Sequence, residues 1–306
     1  MPGILQYRPT LIDSLITKPR MSSYQAVFSP TNDVELMGAY LWNAHVCGAI
    51  YPLIGMAEIT LRNAIDQVLT DAFGQFWWSG SRLRYRSFGP GLRAPKTVCI
   101  VRDNFIAASN KYVTEQHRRH NVRGNVISNH HGVLAQTDFS TWQFLLDKEF
   151  MGRGLIWPRY LGKVFAGLWP KSQSGTVLTF AYRLVSTVRD FRNRIFHHEP
   201  AWKRFGVFTE ADALQHLQEK LAKIETLLAL IHPDSIRLLQ KNDLLTTARR
   251  ACTSDEIRRF QHLAQTHTVR SLVDLAQLVQ RSAANNAVLQ ARLEGDPRRR
   301  FVVSPH

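Results

Sequence analysis

Cysteine is scarce in this chain: Cys47, Cys99 and Cys252 stand far apart, with no CxxC pair and no His at metal-ligand spacing from them. This excludes a disulfide framework and a thiolate zinc module, and it suits reduced thiols in the cytosol. Acidic residues are also few, since 24 Asp and Glu oppose 39 Lys and Arg, for a net charge of +15 and a pI near 10.2. Such a surface attracts polyanions, whether RNA, DNA or anionic lipid, and is silent about catalysis. No long apolar run is present. The most apolar stretch, Val46 to Ile59, is interrupted by Gly48, Pro52, Gly55 and Glu58, and a span needs about 20 apolar residues. Met1 to Tyr24 has no apolar core followed by a cleavage site, so a signal peptide is not expected. A soluble, cytoplasmic protein without a membrane partner follows. With 44% hydrophobic and 21% charged residues, the chain is neither disordered nor collagen-like.

Alternating strand patterns are scarce, and amphipathic helical ones dominate. Helical periodicity begins at Asp33, and Pro52 marks a start or kink before a second helix through Leu61, Ile65 and Leu69 to Gly74. Further helices are expected over about 101–120, 139–150 and 176–198, the last stopping before Pro200. Thr209 with Asp212 resembles a capping box, opening a helix whose Leu214, Leu217, Leu221, Ile224, Leu228 and Ile231 recur at helical spacing. The expected organisation is all-α: an N-terminal segment (1–32), a helical domain (33–245) and a helical appendage with a basic tail (246–306).

Between Arg82 and His130, ten Lys and Arg face only Asp103 and Glu115, a net +8. Arg84, Arg86, Lys111, Arg118, Arg119 and Arg123 are the expected RNA contacts. Tyr85, Phe88 and Tyr112 lie among them, which suits phosphate neutralisation combined with base stacking. A solvated basic face that binds nothing specific has the same composition.

The run richest in chemistry is Arg189-Asp190-Phe191-Arg192-Asn193-Arg194-Ile195-Phe196-His197-His198-Glu199-Pro200. At 100° per residue, Val177, Leu184, Val188, Phe191 and Ile195 share an apolar side. Ser186, Arg189, Asp190, Asn193 and His197 share the opposite arc, with Arg192 at its edge. Asn193 and His197 are one turn apart, so an amide–imidazole hydrogen bond is expected to fix the ring. This set suits metal-free RNA cleavage. A neutral His takes the 2′-OH proton, the oxygen attacks phosphorus, and an Arg fork holds the phosphoryl charge. With 29 Arg and 12 His in 306 residues, an Arg five residues before a His arises about once by chance, so the spacing has no force alone. A helix end with basic residues near its last carbonyls explains the same residues electrostatically.

Arg192-Asn193-Arg194-Ile195-Phe196-His197-His198-Glu199-Pro200 resembles the R-N-x-x-x-H signature of HEPN ribonucleases, in the form carried by the bacterial Abi-like (abortive infection) family. Tyr40-Leu41-Trp42-Asn43 and Glu58-Ile59-Thr60-Leu61-Arg62-Asn63-Ala64-Ile65 look like that family's opening helices, followed by Gly74 and Trp77-Trp78. Phe139-Ser140-Thr141-Trp142 resembles its central aromatic box, with Ser140 where Gly is usual. Trp169-Pro170 and Ile231-His232-Pro233 fall in order, so the likeness covers roughly residues 35 to 235. It implies a HEPN-type helical bundle and a metal-independent, cofactor-free endoribonuclease of antiphage defence. It also implies a homodimer whose motifs form one site, restrained by an inhibitor partner or an RNA. Carried over, Arg192 stabilises the phosphate, Asn193 positions, and His197 is the acid–base, with His198 as the alternative.

Arg62-Asn63 begins a second such pattern, but Gln67 stands where its His would be. Glu58 and Arg62 are read as a structural ion pair, and Trp77 and Trp78 as core or interface aromatics. His130-His131 has no third ligand at recognisable spacing, so no metal is assigned. The competing functions are a non-catalytic RNA-binding module and a protein-interaction module using the same basic helical surface.

Overall fold

The computed structural model is an all-α protein, 64% helical and 5% strand. It describes residues 7, 8, 10–79, 82–119, 121 and 123–305, with backbone alone at 297–299. A π-helical turn (Thr10–Thr17) leads into α1 (Lys18–Phe28). There follow α2 (Asp33–Phe73), α3 (Lys96–Arg119), α4 (His130–Leu134), α5 (Phe139–Leu145), a 3-10 turn (Lys148–Phe150), α6 (Leu161–Val164), α7 (Ser174–Phe196) and α8 (Glu210–Ile231). The chain continues through α9 (Pro233–Lys241), α10 (Leu244–Ala251) and α11 (Ser254–Phe260). It closes with β1 (Thr266–Val269), α12 (Leu272–Asn285), β2 (Leu289–Leu293) and β3 (Asp296–Val303). His120, the expected end of α3, and Val122 in the loop after it lie outside the described residues.

The Thr209–Asp212 box forms in both directions, at 3.2 Å and 3.0 Å. Pro52 does not divide its helix: α2 is one run of 41 residues. Proline removes one N–H and crowds the carbonyl four residues back. That residue is Gly48, which has no side chain to crowd the ring and whose Cβ position has no neighbour from another element within 4 Å among the described residues. By length and composition α2 is the one described helix able to cross a bilayer. Ala39, Trp42, Val46 and Ile50 on it are fully buried.

The chain divides into two compact units, and not at the expected boundaries. One holds the chain up to Leu53, Phe191–Ala222 and everything from Leu238; the other holds Ile54–Asp190 and Lys223–Arg237. The N-terminal segment and the appendage therefore share a unit with the end of α7, and the expected break at 245/246 falls inside α10. Contacts within that unit show why. Trp42 Nε1 donates to Ala251 O at 2.9 Å. The backbone of α2 meets α11 so closely that a Cβ on Gly38 would lie 2.4 Å from Phe260 O. Tyr24 and Phe28 of α1 pack edge-on against Trp202, at 5.2 and 5.1 Å.

The appendage is only partly helical, contrary to expectation. β2 lies between β1, to which it is parallel, and β3, to which it is antiparallel. Val269, Ala291 and Val303 of the sheet bury one face on Leu278 of α12. β1 and β2 have four and five residues, too few for alternation to stand out.

In the other unit Trp77 and Trp78 are core residues. Trp78 is sandwiched between Phe105, stacked at 4.5 Å, and the His130 ring at 4.8 Å. In the Phe139–Trp142 box, Ser140 lies in the first turn of α5 and its hydroxyl accepts from Asn104 Nδ2 at 3.2 Å, so no glycine geometry is needed. Gly167 is required: its N–H donates to Leu230 O at 3.0 Å, and a Cβ would lie 1.9 Å from Ala229 O.

Candidate functional site

Helix α7 ends two residues before the expected His198, and its ending shapes the site. His198 N–H donates to Ile195 O at 3.1 Å and Glu199 N–H to Arg194 O at 3.0 Å, with His198 left-handed at φ +55°. This is a Schellman turn, whose left-handed position normally falls to glycine. A His there costs about 1–2 kcal/mol, so other contacts must hold it.

Several do. Arg194 Nη1 donates to Lys203 O at 2.6 Å and to Pro200 O at 3.4 Å. Arg20 of α1 donates through Nη2 to His198 O. Asn43 Oδ1 accepts from Ala201 N–H at 2.8 Å, and Lys203 Nζ donates to Ser23 Oγ at 2.7 Å. Arg20, Asn43 and Arg194 are supports that the reading of the motif missed. For Asn43 a signal existed, since it closes the Tyr40-Leu41-Trp42-Asn43 block.

The predicted site residues take distinct places. The Arg192 guanidinium lies over the Phe196 ring, 4.1 Å from its centroid, and Nη1 reaches Asn193 Oδ1 at 3.4 Å. Phe196 in turn tilts against Tyr51 at 5.4 Å. The expected Asn193–His197 side-chain bond does not form. Their link is backbone, His197 N–H to Asn193 O at 2.9 Å, while the Asn193 amide oxygen serves Arg192. Both His197 and His198 are exposed, and neither ring makes a hydrogen bond among the described residues. Val177, Leu184, Val188, Phe191 and Ile195 are all buried, as the helical arc requires. Arg189 and Asp190 fall in the other unit, where Arg189 is tied to Asp190 at 2.7 Å.

No protein-family model, curated protein or solved structure matches this chain.

The basic segment is solvent-facing: Arg84, Arg86, Lys111, Arg118, Arg119 and Arg123 are all exposed. Arg86 is partly committed to the fold, with Nε donating to Met151 O at 3.2 Å, and Arg119 pairs with Glu115 at 3.5 Å. Of the three aromatics expected to stack bases, only Phe88 is exposed. Tyr85 is buried, with the Arg102 guanidinium 5.2 Å above its ring. Tyr112 lies under α4, so close that a Cβ on Gly132 would strike its ring.

The other histidine pair does find a third group. Asp66, His130 and His131 bring ligand atoms within 4.8 Å of one another. The donor set still fails as a metal site, because His130 Nδ1 already accepts the Phe76 N–H at 3.0 Å. Its proton therefore sits on Nε2 and is donated to Asp66 Oδ1 at 3.0 Å, leaving no lone pair for an ion. Asp66 also accepts from Trp77 Nε1 at 2.8 Å. Beside this network a cavity of about 380 Å³ is lined by Arg62, Asn63, Asp66, Asp71 and His131, among others. Its two carboxylates oppose one guanidinium, which disfavours a phosphodiester.

Proposed function

We infer that the chain is a metal-independent endoribonuclease whose site is built on Arg192, Asn193 and His197. One observation carries this reading. A braced left-handed turn presents His197 and His198 to solvent directly after a guanidinium that Phe196 and Asn193 hold in place. Left-handed non-glycine residues also end α1, α11 and α12, at Ser29, His262 and Asn286, so the conformation alone marks nothing. What sets this turn apart is two adjacent exposed imidazoles and a clamp from Arg20, Arg194 and Asn43 together. The likeness to the Abi-like HEPN motif supports the same residues, since Asn43 and the residues after His197 belong to the two blocks it joins. Binding alone has no use for a titratable ring at this position.

In this mechanism His197, unprotonated, takes the ribose 2′-OH proton, and the oxygen attacks the adjacent phosphorus. Arg192 stabilises the charge growing on the phosphoryl oxygens, Asn193 orients Arg192 through its amide oxygen, and the 5′-oxygen leaves. Atoms balance with a 2′,3′-cyclic phosphate as the product, and neither ion nor cofactor takes part. One His cannot act as base and acid at the same moment. A homodimer that pairs two copies of the motif about a two-fold axis supplies the second. The substrate partner is RNA, gathered by Arg84, Arg86, Lys111, Arg118, Arg119 and Arg123. The setting is cytoplasmic antiphage defence, with a toxin-like activity restrained by a partner or an RNA.

The test is to incubate wild type and His197→Ala with total RNA in EDTA and map the new ends. Cyclic phosphate ends from wild type alone are expected. Cleavage that EDTA abolishes and magnesium restores would replace this mechanism with a metal nuclease. Excess His197→Ala is also expected to poison wild type through mixed dimers; unchanged activity per wild-type protomer would show that each works alone.

A further inference from the structure

The outer face of the C-terminal sheet carries a charge arrangement that folding alone disfavours. Arg292 of β2 stands directly opposite Arg300 of β3 in an antiparallel pair, and both are exposed. Directly opposed residues have Cβ atoms about 5 Å apart, a separation at which like charges destabilise a sheet. Nearby carboxylates are engaged elsewhere. Glu294 pairs with Arg270 at 3.0 Å, and Asp274 accepts the N–H groups of Arg270 and Ser271 at 2.8 and 3.1 Å as part of the α12 cap. No acidic side chain pairs with Arg292 or Arg300 among the described residues.

The rest of that face is polar and ordered. Thr268, opposite Arg292 on β1, accepts from its Nε at 3.3 Å, so the guanidinium is oriented through one donor and its other donors remain available. Two residues along, Thr266, Gln290 and Val302 form a parallel row across the same face. The opposite face is closed by α12, which leaves this plate as the free side of the sheet.

We propose that this plate binds single-stranded RNA, with Arg292 and Arg300 gripping adjacent phosphates. A phosphodiester anion removes the repulsion between the two guanidiniums and suits their forked donors. Thr266, Thr268 and Gln290 supply hydrogen bonds to sugar and base. One apolar residue, Val302, is too little to anchor a lipid surface, which needs an apolar stripe to insert. The appendage thus holds RNA, independently of whether Arg192 and His197 cut it.

The experiment measures binding of a labelled single-stranded RNA to the full chain across a salt series. It uses a His197→Ala background, so that cleavage cannot confuse the reading. Adding Arg292→Gln and Arg300→Gln should weaken binding about tenfold and flatten the salt slope by about 1.4, roughly 0.7 for each lost phosphate contact. Lysines at both positions should restore most of the slope. The glutamine variant's thermal midpoint should hold or rise, because a like-charge pair is gone. Unchanged affinity and slope would overturn the proposal, as would a fallen midpoint, which would make the pair structural. Loss of binding to phosphatidylserine vesicles but not to RNA would likewise overturn it. Failure of wild type to cleave RNA would contradict the function inferred above and leave this result standing.

Discussion

Each unit holds an Arg-Asn pair and two adjacent histidines, and the two sets behave in opposite ways. In one, Arg62-Asn63 lies beside His130-His131; in the other, Arg192-Asn193 precedes His197-His198. The Arg–Asn contacts are nearly the same, 3.3 Å from Arg62 Nε and 3.4 Å from Arg192 Nη1. The histidines differ. His130 is buried, with both ring nitrogens consumed by Phe76 and Asp66, whereas His197 and His198 are exposed at a strained turn. The constellation that looks most like a polished site, with Asp, His and Trp in series, is a structural network. The barer one keeps a ring nitrogen available for a proton. Burial and lone-pair use, rather than residue type, separate the two.

The largest effect should come from breaking the buried network. Asp66→Ala orphans the Trp77 and His130 donors and should cost about 2–4 kcal/mol of stability, read as a lowered denaturant midpoint. RNA cleavage per folded molecule should persist; its loss would place the chemistry at the wrong pair. Next, Arg20→Ala removes a charged donor from the turn at His198 and should cost about 1.5–3 kcal/mol together with a fall in cleavage rate. A stable variant with full activity would show that the turn needs no clamp.

His198→Gly sharpens the comparison within the turn. Glycine relieves the left-handed strain and should stabilise by about 1 kcal/mol, a rise of a few degrees in thermal midpoint, with cleavage retained. Lost cleavage would transfer the acid–base role from His197 to His198. The smallest effect concerns pH. Burial, with Lys220 and Arg204 adding to it, holds His216 down at about 4, below the ordinary value near 6.5 that the unfolded chain regains. Its contribution to stability should be complete above pH 6.5 and lost as pH falls toward 4. His216→Leu should flatten that slope relative to wild type, and an unchanged slope would assign the acid sensitivity to other groups.

Helix periodicity, the Thr209 cap and the basic segment were legible in the sequence because they depend on spacing along one element. The appendage sheet was not, because β1 and β2 are too short to alternate visibly. Arg20 is 178 residues from His198, and Asp66 is 64 from His130; nothing local announces such pairings. The basic run was visible, yet only contacts with Arg102 and α4 reveal that Tyr85 and Tyr112 are unavailable to bases. The motif does lie at a helix end, as the Pro200 stop signal required, while its Asn193–His197 hydrogen bond was an extrapolation from ideal geometry that the Arg192 contact displaces.

The most direct measurement is the RNA cleavage rate of His197→Ala in EDTA, with folding checked on the same sample. An exposed ring in no hydrogen bond leaves stability unchanged when removed, and loss of a general acid–base should slow cleavage by about 100- to 10,000-fold. A folded His197→Ala protein that cleaves RNA at the wild-type rate would contradict the assignment of chemistry to this turn.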